Sequence, residues 1–330
     1  MPPVVVDVMV DYRAALLRQE QEQMMLMAAR WRMVENSLVG LIEQAAIDLA
    51  EIRQRGRTPR LRDLRRLERY QSLRVQVRWQ LEQFNGETVR IITNEQRRLA
   101  QLGIDQAGDL IRAASRVPIG FDTLPVEAVE NMVGLAGDGS PLQRLLAAEG
   151  AAVEQRMGEE LVRSTALGVN PRETAARVVA SGLRMGLQRA LVIARTEQLR
   201  VYREASRQAY IHSGVVKGFK RLATKDERTC MACLMADGEF YELDETLREH
   251  PQGRCAMVPV VIGMPALTWQ TGPTWFRAQG AGTQRRMLGP RRYEAWRRGA
   301  FDLDQLITVR RNATWGDSVA VTPLAELVGE

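Results

Sequence analysis

The sequence predicts an α+β protein that is mainly α. It comprises an extended N-terminal helical hairpin, a helical middle region and a small β-rich C-terminal unit. Three observations predict this. Apolar residues recur at helical spacing on both sides of a Gly56-Arg57-Thr58-Pro59 break. After Gly214 the periodicity changes to that of short strands. All three cysteines and one of the two histidines gather between positions 230 and 255, as Cys230-x2-Cys233-x16-His250-x4-Cys255.

The first segment, residues 1–117, reads as two long helices. Met27, Trp31, Val34, Leu38, Leu41, Ala45 and Ile52 alternate at spacings of four and three, a coiled-coil-like seam. Gly56 and Pro59 interrupt it, because glycine loosens the backbone and proline removes an amide donor. A second stripe follows at Tyr70, Leu73, Val77, Phe84 and Ile91, predicted to face the first across an antiparallel hairpin over 8–102. About 45 helical residues span roughly 70 Å, so this is an elongated element. The Pro/Gly-rich passage from Val117 to Pro141 marks a boundary, and residues 118–214 read as a helical domain. One helix covers Leu142–Leu167 and is closed by Gly168. Asn170-Pro171 opens another, as N-cap and first helical residue. The longest runs from about Arg184 to Ser213, with Arg195, Glu197, Arg200 and Glu204 at ion-pair spacings.

Residues 215–263 are predicted as three strands, Val215–Ala223, Glu239–Leu243 and Ala256–Ile262, with the cysteine loop between the first two. Residues 264–330 form a tail with four of the six tryptophans (Trp269, Trp275, Trp296, Trp315) and several Arg-Arg pairs. Trp/Arg interleaving can stack nucleic-acid bases. The preferred reading is that these tryptophans anchor the tail to its own domain.

Three thiols and one imidazole match the ligand number and softness of a tetrahedral zinc site, so Cys230, Cys233, His250 and Cys255 are the candidate metal ligands of a zinc-knuckle-like unit. If all four bind, no position is left for a reactive water, and the zinc is structural. Buried structural cysteines and a Cys230–Cys233 redox pair are the alternatives, the latter without the βαβ context such a pair requires.

The chain carries a net charge of +6 over 330 residues, unevenly spread. Residues 51–100 hold 13 arginines against six acids, a local balance of 13 − 6 = +7. Lys217, Lys220 and Lys225 are the only lysines. No apolar run reaches membrane-spanning length, and the start, MPPVVVDVMVDYR, lacks the basic region of a secretory signal, so a protein of the cytoplasm is expected.

Three stretches carry a family resemblance: IARTEQLRVYREASRQAY, KRLATKDERTCMACLMADGEFY and EHPQGRCAMVP. They resemble the phage Mu F-like head-morphogenesis family of minor capsid proteins over about residues 140–300. The ART-E helix corresponds to Ala194, Arg195, Thr196 and Glu197. The D-x-R-T-C-x-x-C block with its following Asp-Gly corresponds to Asp226, Arg228, Thr229, Cys230, Cys233, Asp237 and Gly238. The H-P-x-C-R-C block corresponds to His250, Pro251, Arg254 and Cys255, with Gly253 standing where the family has the first of two closing cysteines. The resemblance implies a virion protein, located at the head or portal vertex and in the host cytoplasm during assembly. Its implied main partner is the portal protein, with the major capsid protein and packaged DNA as further candidates and several copies per virion, assisting head assembly or DNA ejection. No catalytic residue and no membrane are expected. The alternatives are a sequence-tolerant DNA-binding protein acting through the arginine-rich hairpin and, more distantly, a zinc-dependent hydrolase or nuclease using Asp226, Glu227 or Asp237.

Overall fold

The computed structural model describes residues 4–115, 120–265 and 267–329, so Val117–Ile119 of the expected boundary lie outside the described residues. The fold is mainly helical, with a small antiparallel sheet region toward the C-terminus. Two compact units emerge, and each draws on several of the four sequence segments. The first comprises Met1–Arg18, Glu95–Gly139 and Thr196–Glu330, and the second Gln19–Asn94 and Ser140–Arg195.

The helices of the second unit follow from its apolar spacing. Helix α1 covers Val4–Gln54, the short α2 Leu61–Leu64, and α3 Glu68–Ser115. Gly56 takes the left-handed conformation (φ 77°) that ends α1. Within this unit α1 and α3 run antiparallel. Trp31 meets Phe84 edge-on at 4.6 Å, and Arg69 bonds Asp48 at 2.8 Å, so higher numbers on one helix pair with lower numbers on the other.

The seam differs in one respect from the expected one. Leu41 is 38% exposed, while Ile42 and Leu49 are fully buried, and Ile52 is only half-buried. The buried stripe on α1 is Met27, Trp31, Val34, Leu38, Ile42, Ala45 and Leu49. On α3 it is Tyr70, Leu73, Val77, Leu81, Phe84, Thr88 and Ile92, with Ile91 half-buried. Both stripes step by three, four and four residues, an eleven-residue period close to the helix's own 3.6 per turn. A strict heptad would need left-handed supercoiling to hold its seam, whereas this pattern stays on one face without it. The register makes an expected result: Ile42→Ala costs about 2 kcal/mol or more, and Leu41→Ala shifts stability by at most about 0.5 kcal/mol, both read from urea unfolding.

Helices α4 (Leu142–Ala166) and α5 (Pro171–Val178) and the first turns of α6 (Arg184–Ser213) complete this unit. Asn170 caps α5 by accepting from the Glu173 amide at 2.9 Å. A single π turn, Val179–Leu183, joins α5 to α6, with Ser181 donating to the Arg177 carbonyl at 2.8 Å. Gly186 lets α6 press on α1 and α4: a Cβ there would stand 2.9 Å from Val153 Cγ2 and 3.0 Å from Trp31 Cη2.

In the other unit, strands β1 (Val216–Leu222), β2 (Phe240–Glu242) and β3 (Ala256–Val261) form an antiparallel sheet in the order β2-β1-β3. The strand expectations agree with these bounds to within one residue at each end. Phe219 and Tyr241 stack across β1 and β2 at 5.3 Å. They share one core with Val5 and Met9 of α1, Ile104 and Leu110 of α3, and Tyr210 of α6.

The tail is more regular than expected. It holds α8 (Gly272–Arg277), α9 (Ala281–Leu288), α10 (Pro290–Arg297), a β4–β5 hairpin (Ile307–Arg310 with Ser318–Val321) and α11 (Leu324–Val328). Its tryptophans anchor it: Trp296 packs on Phe276 at 5.6 Å, and Trp315 donates to Glu197 at 2.8 Å.

Candidate metal centre

Cys230 and Cys233 are placed by a short helix, α7 (Met231–Met235), whose single turn turns both thiols to one side. The loop before it is wound around Asp226. That carboxylate accepts from the Arg228 amide at 3.0 Å and the Thr229 hydroxyl at 2.9 Å, and it holds Arg254 through two bonds of 2.7 Å each. Burial pushes the Asp226 carboxyl up, but the hydrogen bonds from Arg254 and Thr229 outweigh it and keep it ionised below the usual carboxylate range. Asp226 thus joins the first cysteine pair to the segment that carries Cys255.

Downstream, α7 is braced by Asp237, which accepts from the Ala223 amide (2.7 Å), the Gly272 amide (2.8 Å) and Trp269 Nε1 (3.2 Å), and pairs with Lys225 at 2.9 Å. Gly272 approaches so closely that a Cβ there would fall 1.9 Å from the Leu234 carbonyl oxygen.

The His250–Cys255 turn is held by α6. Thr196 accepts from the Gln252 amide at 3.2 Å, and Arg203 donates to the carbonyls of Gly253 (2.6 Å) and Cys255 (3.2 Å). Gln252 is the one non-glycine with positive φ among the described residues (63°). One residue along α6 from Thr196, the buried Glu197 accepts from Arg200 at 2.7 Å, the Gly137 amide at 3.2 Å and Trp315. Arg195 pairs instead with Glu20 at 2.7 Å. The Glu197–Arg200 pair forms at the spacing expected of it, and Glu197 gathers two further donors from outside the helix. A buried carboxylate with three donors is worth more than an exposed pair.

The donors converge as two triads. The Cys230 and Cys233 sulfurs and a His250 ring nitrogen lie within 4.8 Å of one another, and so do donors from Cys233, Glu249 and Cys255. Cys233 belongs to both. A tetrahedral ion with bonds of about 2.0–2.3 Å would draw its ligands closer together than this outer limit, so the side chains would need only small adjustments. All three cysteines are free thiols. His250 Nδ1 lies 2.9 Å from the Pro251 carbonyl, which can only accept. Nδ1 therefore donates there, and Nε2 is the nitrogen that would bind a metal on losing its own proton, the usual arrangement behind a metal-bound histidine. The hydrogen bond with Cys233 and the nearby imidazole, opposed by burial, bring the Cys230 thiol down to about 4. The hydrogen bond with Cys230 lifts His250 to about 9 against its own burial. Hydrogen bonding with Cys230 and Cys255, together with burial, pushes the Cys233 thiol well up.

Two functional residues escaped the sequence reading. Glu249 is buried, with Oε1 3.4 Å from the Cys233 sulfur. Arg221 is fully buried and bonds Glu249 at 3.3 Å, the Arg248 carbonyl at 2.7 Å and the Tyr241 hydroxyl at 3.2 Å, lying 3.7 Å from the Cys233 sulfur. Gly253 is explained by Glu249: a Cβ at 253 would fall 1.9 Å from Glu249 Oε1, so the carboxylate fills the space a side chain there would need. The acid directly before His250 was the available signal.

The three carboxylates considered as general bases are engaged elsewhere. Asp226 holds Arg254, Glu227 holds Arg286 at 2.8 Å, and Asp237 serves backbone amides. The cluster can thus hold a metal ion through thiol, imidazole and carboxylate donors. In comparisons with family models, curated proteins and solved structures, nothing matches this chain.

Proposed function

We propose that the chain is a non-enzymatic minor capsid protein of a tailed phage or prophage, binding the portal vertex and assisting head assembly or genome delivery. In this reading it carries one structural zinc in a zinc-knuckle-like unit, held by Cys230, Cys233, His250 and Cys255. The donor set fits such an ion: thiols and an imidazole with its other nitrogen tied to a carbonyl are the soft, oriented ligands zinc takes. When bound, zinc would supply cross-linking of a small loop-rich segment.

One observation carries the proposal. The three stretches behind the family resemblance are each other's partners: Thr196 and Arg203 of the helix grip the His250–Cys255 turn, and Asp226 of the cysteine block grips Arg254. Residues that form one interlocked constellation support reading the three motifs as one module.

A second reading has its own observation. Arg53, Arg55, Arg57, Arg60, Arg62, Arg65 and Arg66 are all exposed around the α1–α2–α3 turns, a basic surface suited to nucleic-acid phosphates. Co-expression with the portal protein of the same phage, followed by purification at low and at moderate salt, separates the two. A portal complex held by apolar contacts survives both conditions. If no complex forms at either salt while duplex DNA binds tightly at the lower one, the DNA-binding reading replaces the first.

A further inference from the structure

The cysteine cluster opens onto a cavity of about 310 Å³, entirely within the unit that carries the sheet. Three arginines line it, Arg228, Arg254 and Arg292, and among the described residues of its lining there is no carboxylate. Arg254 is committed to Asp226. The other two make no ion pair with a carboxylate among the described residues. Arg228 is exposed and lines the cavity, its backbone amide fixed on Asp226. Arg292 is half-buried and lines the same cavity, with one long 3.4 Å bond to the Thr322 carbonyl.

The lining also has an apolar part, formed by Met231, Met287, Leu288 and Val321. At ~30 Å³ per water the cavity holds on the order of ten waters, far more than one small anion displaces. Its chemistry therefore asks for a ligand with an anionic head to meet the arginines that have no carboxylate partner and an apolar or planar body to meet the methionines. We propose that this cavity binds a phosphate monoester of mononucleotide size, either a free nucleotide or the 5′-phosphorylated end of a DNA strand. Guanidinium forks match phosphate oxygens bidentately, and methionine side chains adapt their shape to a flat body. The site is defined by this unit's own residues and does not depend on the capsid assignment.

The test is calorimetric titration of the full-length protein with adenosine 5′-monophosphate, adenosine and inorganic phosphate. Adenosine 5′-monophosphate should bind saturably, at least tenfold more tightly than either of the other two. Arg228→Gln and Arg292→Gln should each weaken it about tenfold, the loss expected for one charge-assisted contact. Arg228→Gln touches no packed side chain and so keeps the test valid if Arg292→Gln folds poorly. A short oligodeoxynucleotide with and without a 5′-phosphate separates the two sources: tighter binding of the phosphorylated end than of the free nucleotide assigns the DNA end, and the reverse order assigns the nucleotide. Absence of saturable binding in the millimolar range, equal affinity for inorganic phosphate, or affinity unchanged in Arg228→Gln overturns the proposal.

Discussion

Arg221→Met should destabilise the sheet-bearing unit by about 3–5 kcal/mol, the cost of leaving a buried partner charge uncompensated. Arg221 sits on the central strand β1, fully buried, and offers its guanidinium to Glu249, Tyr241 and the Arg248 carbonyl. Burial alone would raise the Glu249 carboxyl; Arg221 and Arg203 reverse this and keep it ionised. Without Arg221 that carboxylate faces the Cys233 sulfur with much of its counter-charge gone. The double variant Arg221→Met/Glu249→Gln should recover part of the loss, because removing both charges is far less costly than stranding one. Urea unfolding of the single and double variants measures it. A single-variant cost under about 1 kcal/mol would mean the network has little weight.

The second large effect belongs to Cys233. It is the one donor common to both triads, so Cys233→Ser should release the metal and lower the thermal transition of the sheet-bearing unit. Structural zinc in isolated fingers contributes on the order of 10 kcal/mol to folding. The effect here should be smaller, since β1 and β3 share a core with Val5, Ile104 and Tyr210 that needs no metal. Cys255→Ser should be milder still, because Glu249 stands beside Cys233 and can offer its carboxylate in place of the lost thiol. Equal losses from the two substitutions would show that Glu249 cannot substitute.

Much of this molecule was legible because its signals are local. Helix α6 begins and ends where the spacing and Gly214 indicate, and Asn170-Pro171 opens α5 by cap chemistry that two residues suffice to specify. The strands were readable from their change of period. What escaped depends on partners far away in the chain. Leu41 and Ile42 are both apolar neighbours on one helix, and only the opposing α3 stripe decides which is buried. The β4–β5 hairpin has short strands in an arginine-rich tail, and pairing rather than pattern makes them strands. Arg221 reads as an ordinary strand arginine until Glu249 and Cys233 are seen around it. Of the site itself, the four Cys/His residues were recognisable by rarity and spacing, whereas Glu249 was one acid among many. Its role comes from Gly253, whose missing side chain leaves room for the carboxylate.

The central claim is that these donors hold a structural zinc, and the most direct measurement is the metal content of the intact chain purified without chelator. Native mass spectrometry, with elemental analysis of the same sample, should find one zinc per wild-type chain and none on Cys233→Ser. Substoichiometric zinc in the wild-type chain, unchanged in Cys233→Ser, would contradict it.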